Sequence, residues 1–274
     1  TEALPNANAD NVVVSTRPAG ALFSEVTGLS ANATYYAAVR AVSHSGGVTP
    51  LVLLGSTVTL PNPPATAAST FSAVAESSFT AHWLANGNAP GTRYEVVAAT
   101  TAALGLADPA NRTVSTAPYG VPAAEVPGLA ANATYYLFVA ARSRAGTLGA
   151  FLALGSTVTL PAAPGSAAST FTAVGSTDAS VAWSSGGNAA GTRYRVVLST
   201  QAPLASLPGN AEVATDAAGG LSAALSGLVP NTTYHLFVAA QGRTVGESAF
   251  SSLGSTITAI EAPSGVFFTA LSSD

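Results

Sequence analysis

The octapeptide Leu54-Gly-Ser-Thr-Val-Thr-Leu-Pro61 returns letter for letter at 154–161. It returns again, altered to Leu-Gly-Ser-Thr-Ile-Thr-Ala-Ile, at 253–260. The spacing is 100 residues and then 99, and the remainder of the chain is phased to it. A fixed period constrains the fold more than any local pattern, because each period must be one structural unit. A unit of about 100 residues is the usual size of an independently folding domain with its own core. Other segments keep the same phase. Asn32-Ala-Thr-Tyr-Tyr36 matches Asn132-Ala-Thr-Tyr-Tyr136 and Asn231-Thr-Thr-Tyr-His235, Gly91-Thr-Arg-Tyr94 matches Gly191-Thr-Arg-Tyr194, and Trp83 matches Trp183. The single lost residue falls between Tyr194 and Asn231, in a Gly- and Ala-rich loop.

Within a unit the pattern is strand, turn, strand. Phe79, Ala81 and Trp83 alternate with Thr80 and His82, and Tyr135, Leu137, Val139 and Ala141 alternate with Tyr136, Phe138, Ala140 and Arg142. This is the period of two that a half-buried strand requires. Clusters such as Asn86-Gly-Asn-Ala-Pro-Gly91 and Pro127-Gly128 separate the runs, and no window sustains a period of 3.6. Short strands at this spacing point to an all-β sandwich.

Here the residues resemble a known family, the fibronectin type III domain. Trp83 looks like its second-strand tryptophan and Tyr94-x-Val96 like its third strand. Gly128-Leu129 followed by Asn132 to Tyr135 resembles the turn into its sixth strand. Tyr35, Tyr135 and Tyr234 match its tyrosine corner, whose hydroxyl bonds back to nearby backbone. The resemblance implies tandem immunoglobulin-like sandwiches of three- and four-stranded sheets, seven strands per complete domain. It also implies a mostly non-catalytic role as spacer, adhesion module or appendage. The expected divisions are 1–60, 61–160, 161–260 and 261–274. The first aligns with the end of a unit and lacks its first three strands. The last resembles the first strand of a further domain. The chain is read as a window onto a longer array; the alternative is that the tail or a neighbouring chain completes the first domain.

Composition narrows the function. Charged residues are 8% of the chain, against about 25% in an average soluble domain. Lysine, cysteine and methionine are absent, all nine cations are arginine, and the net charge is −4. With no basic cluster, nucleic acid is not an expected partner. No apolar run reaches the roughly 18 residues of a membrane span. His44, His82 and His235 occupy three different positions in the unit, so they do not form one site within a domain. Asn6-x-Asn8-x-Asp10 begins like a calcium loop, but Asn11 and Arg17 stand where Gly and Glu belong. Neither cofactor nor metal is expected, and no catalysis. Asn32, Asn111, Asn132 and Asn231 sit in Asn-x-Ser/Thr sequons. Three of these recur at one turn, where turn geometry explains Asn and Thr.

Further expectations concern the linkers, the sheet faces and the role. The last strand of each unit runs straight into Pro61, Pro63 and Pro64, or Pro161 and Pro164. Proline fixes φ and extends the chain, so a semi-rigid rod is expected. If Tyr135, Leu137 and Val139 face inward, then Tyr136, Phe138 and Phe237, with Val97 and Val197 beside them, form an apolar stripe on the outer sheet face. Such a stripe suggests lateral self-association. Trp83, Trp183, Tyr35, Tyr135 and Tyr234 are the expected core. The preferred reading is a structural array on a bacterial surface or in an extracellular filament. An adhesin or glycan-binding module and a spacer for an extracellular hydrolase are the alternatives. Expected partners are further copies of the chain, with a surface glycan or protein as the other possibility.

Overall fold

Period-two sequence becomes strand throughout. The structure, a computed structural model, describes residues 14, 22–116, 121–204, 210–215, 220–244 and 246–265. Asn6, Asn8 and Asp10, and most of the 261–274 segment, lie outside the described residues. All regular elements among the described residues are strands, and none is a helix long and apolar enough to cross a membrane.

The first repeat contributes β1 (Thr34–Val39) and β2 (Val52–Val58), an antiparallel ribbon. The second contributes β3 (Ala65–Ser72), β4 (Ser78–Leu84), β5 (Arg93–Ala99), β6 (Arg112–Ser115), β7 (Ala123–Pro127), β8 (Thr134–Arg142) and β9 (Leu152–Val158). The third contributes β10 (Gly165–Val174), β11 (Asp178–Ser184), β12 (Arg193–Ser199), β13 (Ala211–Ala214), β14 (Ser222–Ser226), β15 (Thr233–Gln241) and β16 (Ser251–Ile257). The second and third repeats each form a three-stranded sheet, β3-β4-β7 or β10-β11-β14. Each also forms a four-stranded sheet, β6-β5-β8-β9 or β13-β12-β15-β16. These are tandem fibronectin type III-like sandwiches. Residues 23–27, which align with β7, form no strand. β7 is held by β4, and the described part of the first repeat has no counterpart of β4.

The chain divides into two compact units. One holds the described residues up to Ser72 with Thr80–Val126 and Tyr136–Ser156. The other holds Ala73–Phe79, Pro127–Tyr135 and the described residues from Thr157 onward. The division falls across the second repeat, so each unit contains one entire proline-rich junction. In the second unit the core joins both sheets of the third sandwich. Ala179, Val181 and Trp183 from β11 and Leu225 from β14 pack with Tyr194, Val196, Leu198, Tyr234, Leu236 and Val238. Trp183 meets Tyr194 edge-on at 5.5 Å, and Trp83 meets Tyr94 at 5.3 Å. Tyr135 and Tyr234 are buried, whereas Tyr35, expected in the core with them, is only half-buried because the described part of the first repeat has no second sheet to cover it. Each corner tyrosine accepts a backbone hydrogen bond five residues back: Tyr35 from Ser30 (2.8 Å), Tyr135 from Ala130 (2.9 Å) and Tyr234 from Val229 (3.0 Å).

The outer sheet face is not the exposed stripe expected from strand parity. Val97 and Phe138 are buried among Ala99, Leu104, Tyr136 and Phe151. The chain at 100–111 and the approach to β9 supply Leu104 and Phe151, which close over the sheet. Val197 and Phe237 are buried as well, and Phe250 lies under the Arg195 guanidinium at 5.5 Å. Only Tyr136 keeps partial exposure. Arg142 pairs with Glu95 of its own sheet at 2.6 Å. The lateral surface is therefore withdrawn, because each sandwich covers that face itself.

The indole N–H groups of Trp83 and Trp183 are buried without a protein acceptor. Trp183→Ala removes a large core side chain and is expected to cost about 3–5 kcal/mol. Trp183→Phe keeps most of the apolar volume and deletes an unsatisfied donor, so it should cost distinctly less. Denaturant unfolding followed by far-ultraviolet circular dichroism measures both. Equal losses would show that the indole N–H has an acceptor.

Candidate functional site: an asparagine-centred joint

The Thr that ends the repeated Gly-Ser-Thr-Val/Ile-Thr segment builds the site. Thr59 donates from Oγ1 to the Ser30 carbonyl (2.7 Å) and accepts from the Ala33 amide (3.0 Å). Thr159 does the same with Ala130 and Ala133, and Thr258 with Val229 and Thr232. The asparagine amide in each turn then donates to the strand end, Asn32 to Leu60, Asn132 to Leu160 and Asn231 to Ala259. Pinned this way, the asparagines sit at φ of 53°, 50° and 52°. This left-handed region is tolerated by Asn better than by other side chains except Gly.

In the first unit the Asn32 side chain is fully buried. Its Nδ2 donates to Thr92 Oγ1 (2.9 Å) and the Arg142 carbonyl (3.1 Å), and its Oδ1 accepts from the Arg144 amide (2.8 Å). Arg144 Nε donates to the Asn32 carbonyl (3.0 Å) and its Nη2 to the Pro90 carbonyl (2.9 Å). The Ala31 carbonyl accepts from Ala89 at 2.9 Å.

The second unit repeats this in its own residues. Asn132, also fully buried, donates to Thr192 Oγ1 (3.1 Å) and the Gln241 carbonyl (2.9 Å), and accepts from the Arg243 amide (2.9 Å). Arg243 reaches the Asn132 and Ala190 carbonyls, each at 2.6 Å. Ala131 exchanges bonds with Ala189 (2.9 Å) and Gly187 (3.2 Å).

A second amide fastens each linker. Asn88 Oδ1 accepts from the Asn62 amide (2.8 Å) while Nδ2 donates to the Asn62 and Ala85 carbonyls (2.9 and 2.8 Å). Asn188 holds Ala162 and Ser185 identically, at 2.9, 2.8 and 2.6 Å. Proline stiffness is thus joined by a hydrogen-bonded clasp.

Each Asn amide uses both N–H donors and its carbonyl oxygen, which Asp, Gly or Ala could not supply. The grooves beside the joints are open and polar. They are lined by Asn132, Arg193, Gln241, Arg243 and Glu247 in one unit and by Asn32, Arg93, Arg142 and Arg144 in the other. Arg243 and Arg144 are already engaged with carbonyls there.

The structure keeps the other singled-out residues apart. His44, His82 and His235 lie in three different repeats, and His82 Nε2 is 2.7 Å from Ser72 Oγ. Among the described residues no group of three His, Cys, Asp or Glu gathers as a metal site. Asn111 donates to the Gly105 carbonyl at 2.7 Å. The joint escaped sequence reading because its parts lie 60 and 112 residues apart.

No protein-family model matches the chain, and no curated protein matches it. Among solved structures it is similar to a two-domain fibronectin type III segment of chicken tenascin. That similarity is 18% identity over 72% of this chain and 100% of the other, with a TM-score of 0.45. It is also similar to the FN1-FN3 domains of chicken CNTN1, at 18% identity over 85% and 80% of the two chains and a TM-score of 0.31. At that distance nothing about ligand or partner passes from those proteins to this one.

Asn132→Gly retains the backbone conformation and deletes the amide. The Arg243 backbone N–H then loses its acceptor, which should lower its exchange protection by about 1–3 kcal/mol, roughly 5- to 150-fold. Asn132→Ala should lose about 1–2 kcal/mol more through the left-handed φ. Amide exchange read by nuclear magnetic resonance at Arg243 checks both. Unchanged exchange in the glycine variant would remove the joint from the argument.

Proposed function

We propose that this chain is a non-catalytic structural array whose joints set the orientation of successive sandwiches, within a secreted or cell-surface protein. The observation carrying this reading is the doubled joint. Two fully buried asparagines make the same four bonds to the following repeat. A flexible string of beads would not need such an arrangement, since mobile linkers are built from Gly and Ser. Low charge and the lack of lysine fit a passive scaffold. The extracellular filament is the setting in which a stiff repeat is most useful, and the semi-rigid rod is the mechanical role proposed for it.

The chain lacks cysteine, so paired labels can be placed without background. Spin labels at Ser69→Cys and Ser169→Cys, both exposed positions, flank the Asn132 joint. Pulsed electron resonance should give one narrow distance distribution, which Asn132→Gly broadens. A broad distribution in the parent chain would overturn the reading.

A further inference from the structure

The third copy of the turn is made but not engaged. Asn231 has the same φ as Asn32 and Asn132 and the same threonine clamp from Thr258. Yet it is exposed, whereas its two counterparts are fully buried, and its side chain has no hydrogen-bond partner among the described residues. Building a left-handed asparagine and leaving its amide in water contributes nothing to the third sandwich. We propose that Asn231 is a docking site for a further repeat of this type, one carrying threonine and arginine where Thr92 and Arg144, or Thr192 and Arg243, stand. The inference rests on the joint reading above and extends it to a named partner.

Three observations select that occupant. Past β16 the linker keeps the closing proline of the engaged junctions, Ala262-Pro263 matching Ala163-Pro164, while Ile260 stands where Pro61 and Pro161 do. Pro230 replaces Ala31 and Ala131 and has no N–H. The Asn32 joint, however, uses only the Ala31 carbonyl, and Pro230 also presents a carbonyl, one lone pair of which already accepts from the Thr232 hydroxyl at 3.0 Å. A second copy of this chain fits poorly. Its Arg144 and Arg243 already hold Asn32 and Asn132, and its first repeat has His44 at the aligned position. The bonds expected are Asn231 Nδ2 to a threonine hydroxyl and a strand-end carbonyl, and Asn231 Oδ1 from an arginine amide.

The test inserts a second copy of residues 162–260 directly after Ile260 of the full chain, with labels at Ser169→Cys and at the same residue of the copy. A distance distribution as narrow as that across the Asn132 joint is expected. It should lose that narrowness on Asn231→Gly, which keeps the turn. In the parent insertion, the amide of the copied Arg243 should exchange about tenfold or more slowly than in Asn231→Gly. A broad distribution across the new junction, beside a narrow one across Asn132, overturns this proposal alone. Breadth at both overturns the joint reading itself. Association of the uninserted chain into a dimer that Asn231→Gly abolishes would also overturn it, in favour of a second copy.

Discussion

The structure depends on a carboxamide held where few side chains will go. The turn before each corner tyrosine needs a positive φ, and at Asn32 and Asn132 its side chain must also present two donors and one acceptor at a single point. Glycine meets the first demand and not the second. Aspartate meets the first but brings a charge and no N–H donors. Asparagine satisfies both. The amide is buried only because every hydrogen-bonding position it uses is matched. Removing one partner exposes the full desolvation cost of the others, so the joint is specific as well as attractive.

That requirement explains why Leu-Gly-Ser-Thr-Val-Thr is the most faithfully repeated segment. Gly55 and Gly254 have φ of 122° and 118° beside irregularities in strand register, at Ala37/Ala38 and His235/Phe237. The bend supplied there lets the strand end run alongside the turn. The closing threonine then grips the turn from both sides, and the next residues enter the proline linker. Asn88 and Asn188 hold that linker from the far side. One short segment therefore closes a sandwich, shapes the asparagine and aims the chain into the next repeat. Hydrogen bonds from buried carboxamides fix this connection, beside the buried Pro64, Pro161, Ala162 and Pro164 of the linkers.

Strand phasing was legible because period two is a local property: Phe79, Ala81 and Trp83 declare their face in five residues. The tyrosine corner was legible through the resemblance to fibronectin type III domains rather than through periodicity. Two things were not. Parity places Phe138 and Val97 opposite the core, but whether that face meets water depends on where 100–111 folds, a tertiary matter. Leu104 and Phe151, apolar residues beside turns, were the available hint. The joint was hidden by distance along the chain. Its trace is the pairing of Thr92 and Arg144 with a preceding Asn32, and of Thr192 and Arg243 with Asn132. Comparing each repeat with the next, rather than with its own counterpart, would have raised that pairing.

The same geometry changes how the Asn-x-Ser/Thr pattern is read. Attaching a glycan uses Nδ2, the atom that binds Thr92 and the Arg142 carbonyl in the first joint and Thr192 and the Gln241 carbonyl in the second. A sugar there would replace one donor and could not be accommodated at a fully buried position. At Asn32 and Asn132, glycosylation and a closed joint are mutually exclusive. The threonine two residues on, Thr34 or Thr134, opens a strand and has the β-branched shape that strands favour. Turn and strand thus generate the tripeptide with no reference to a sugar. Asn231 differs in being exposed, so burial does not exclude a sugar at that position.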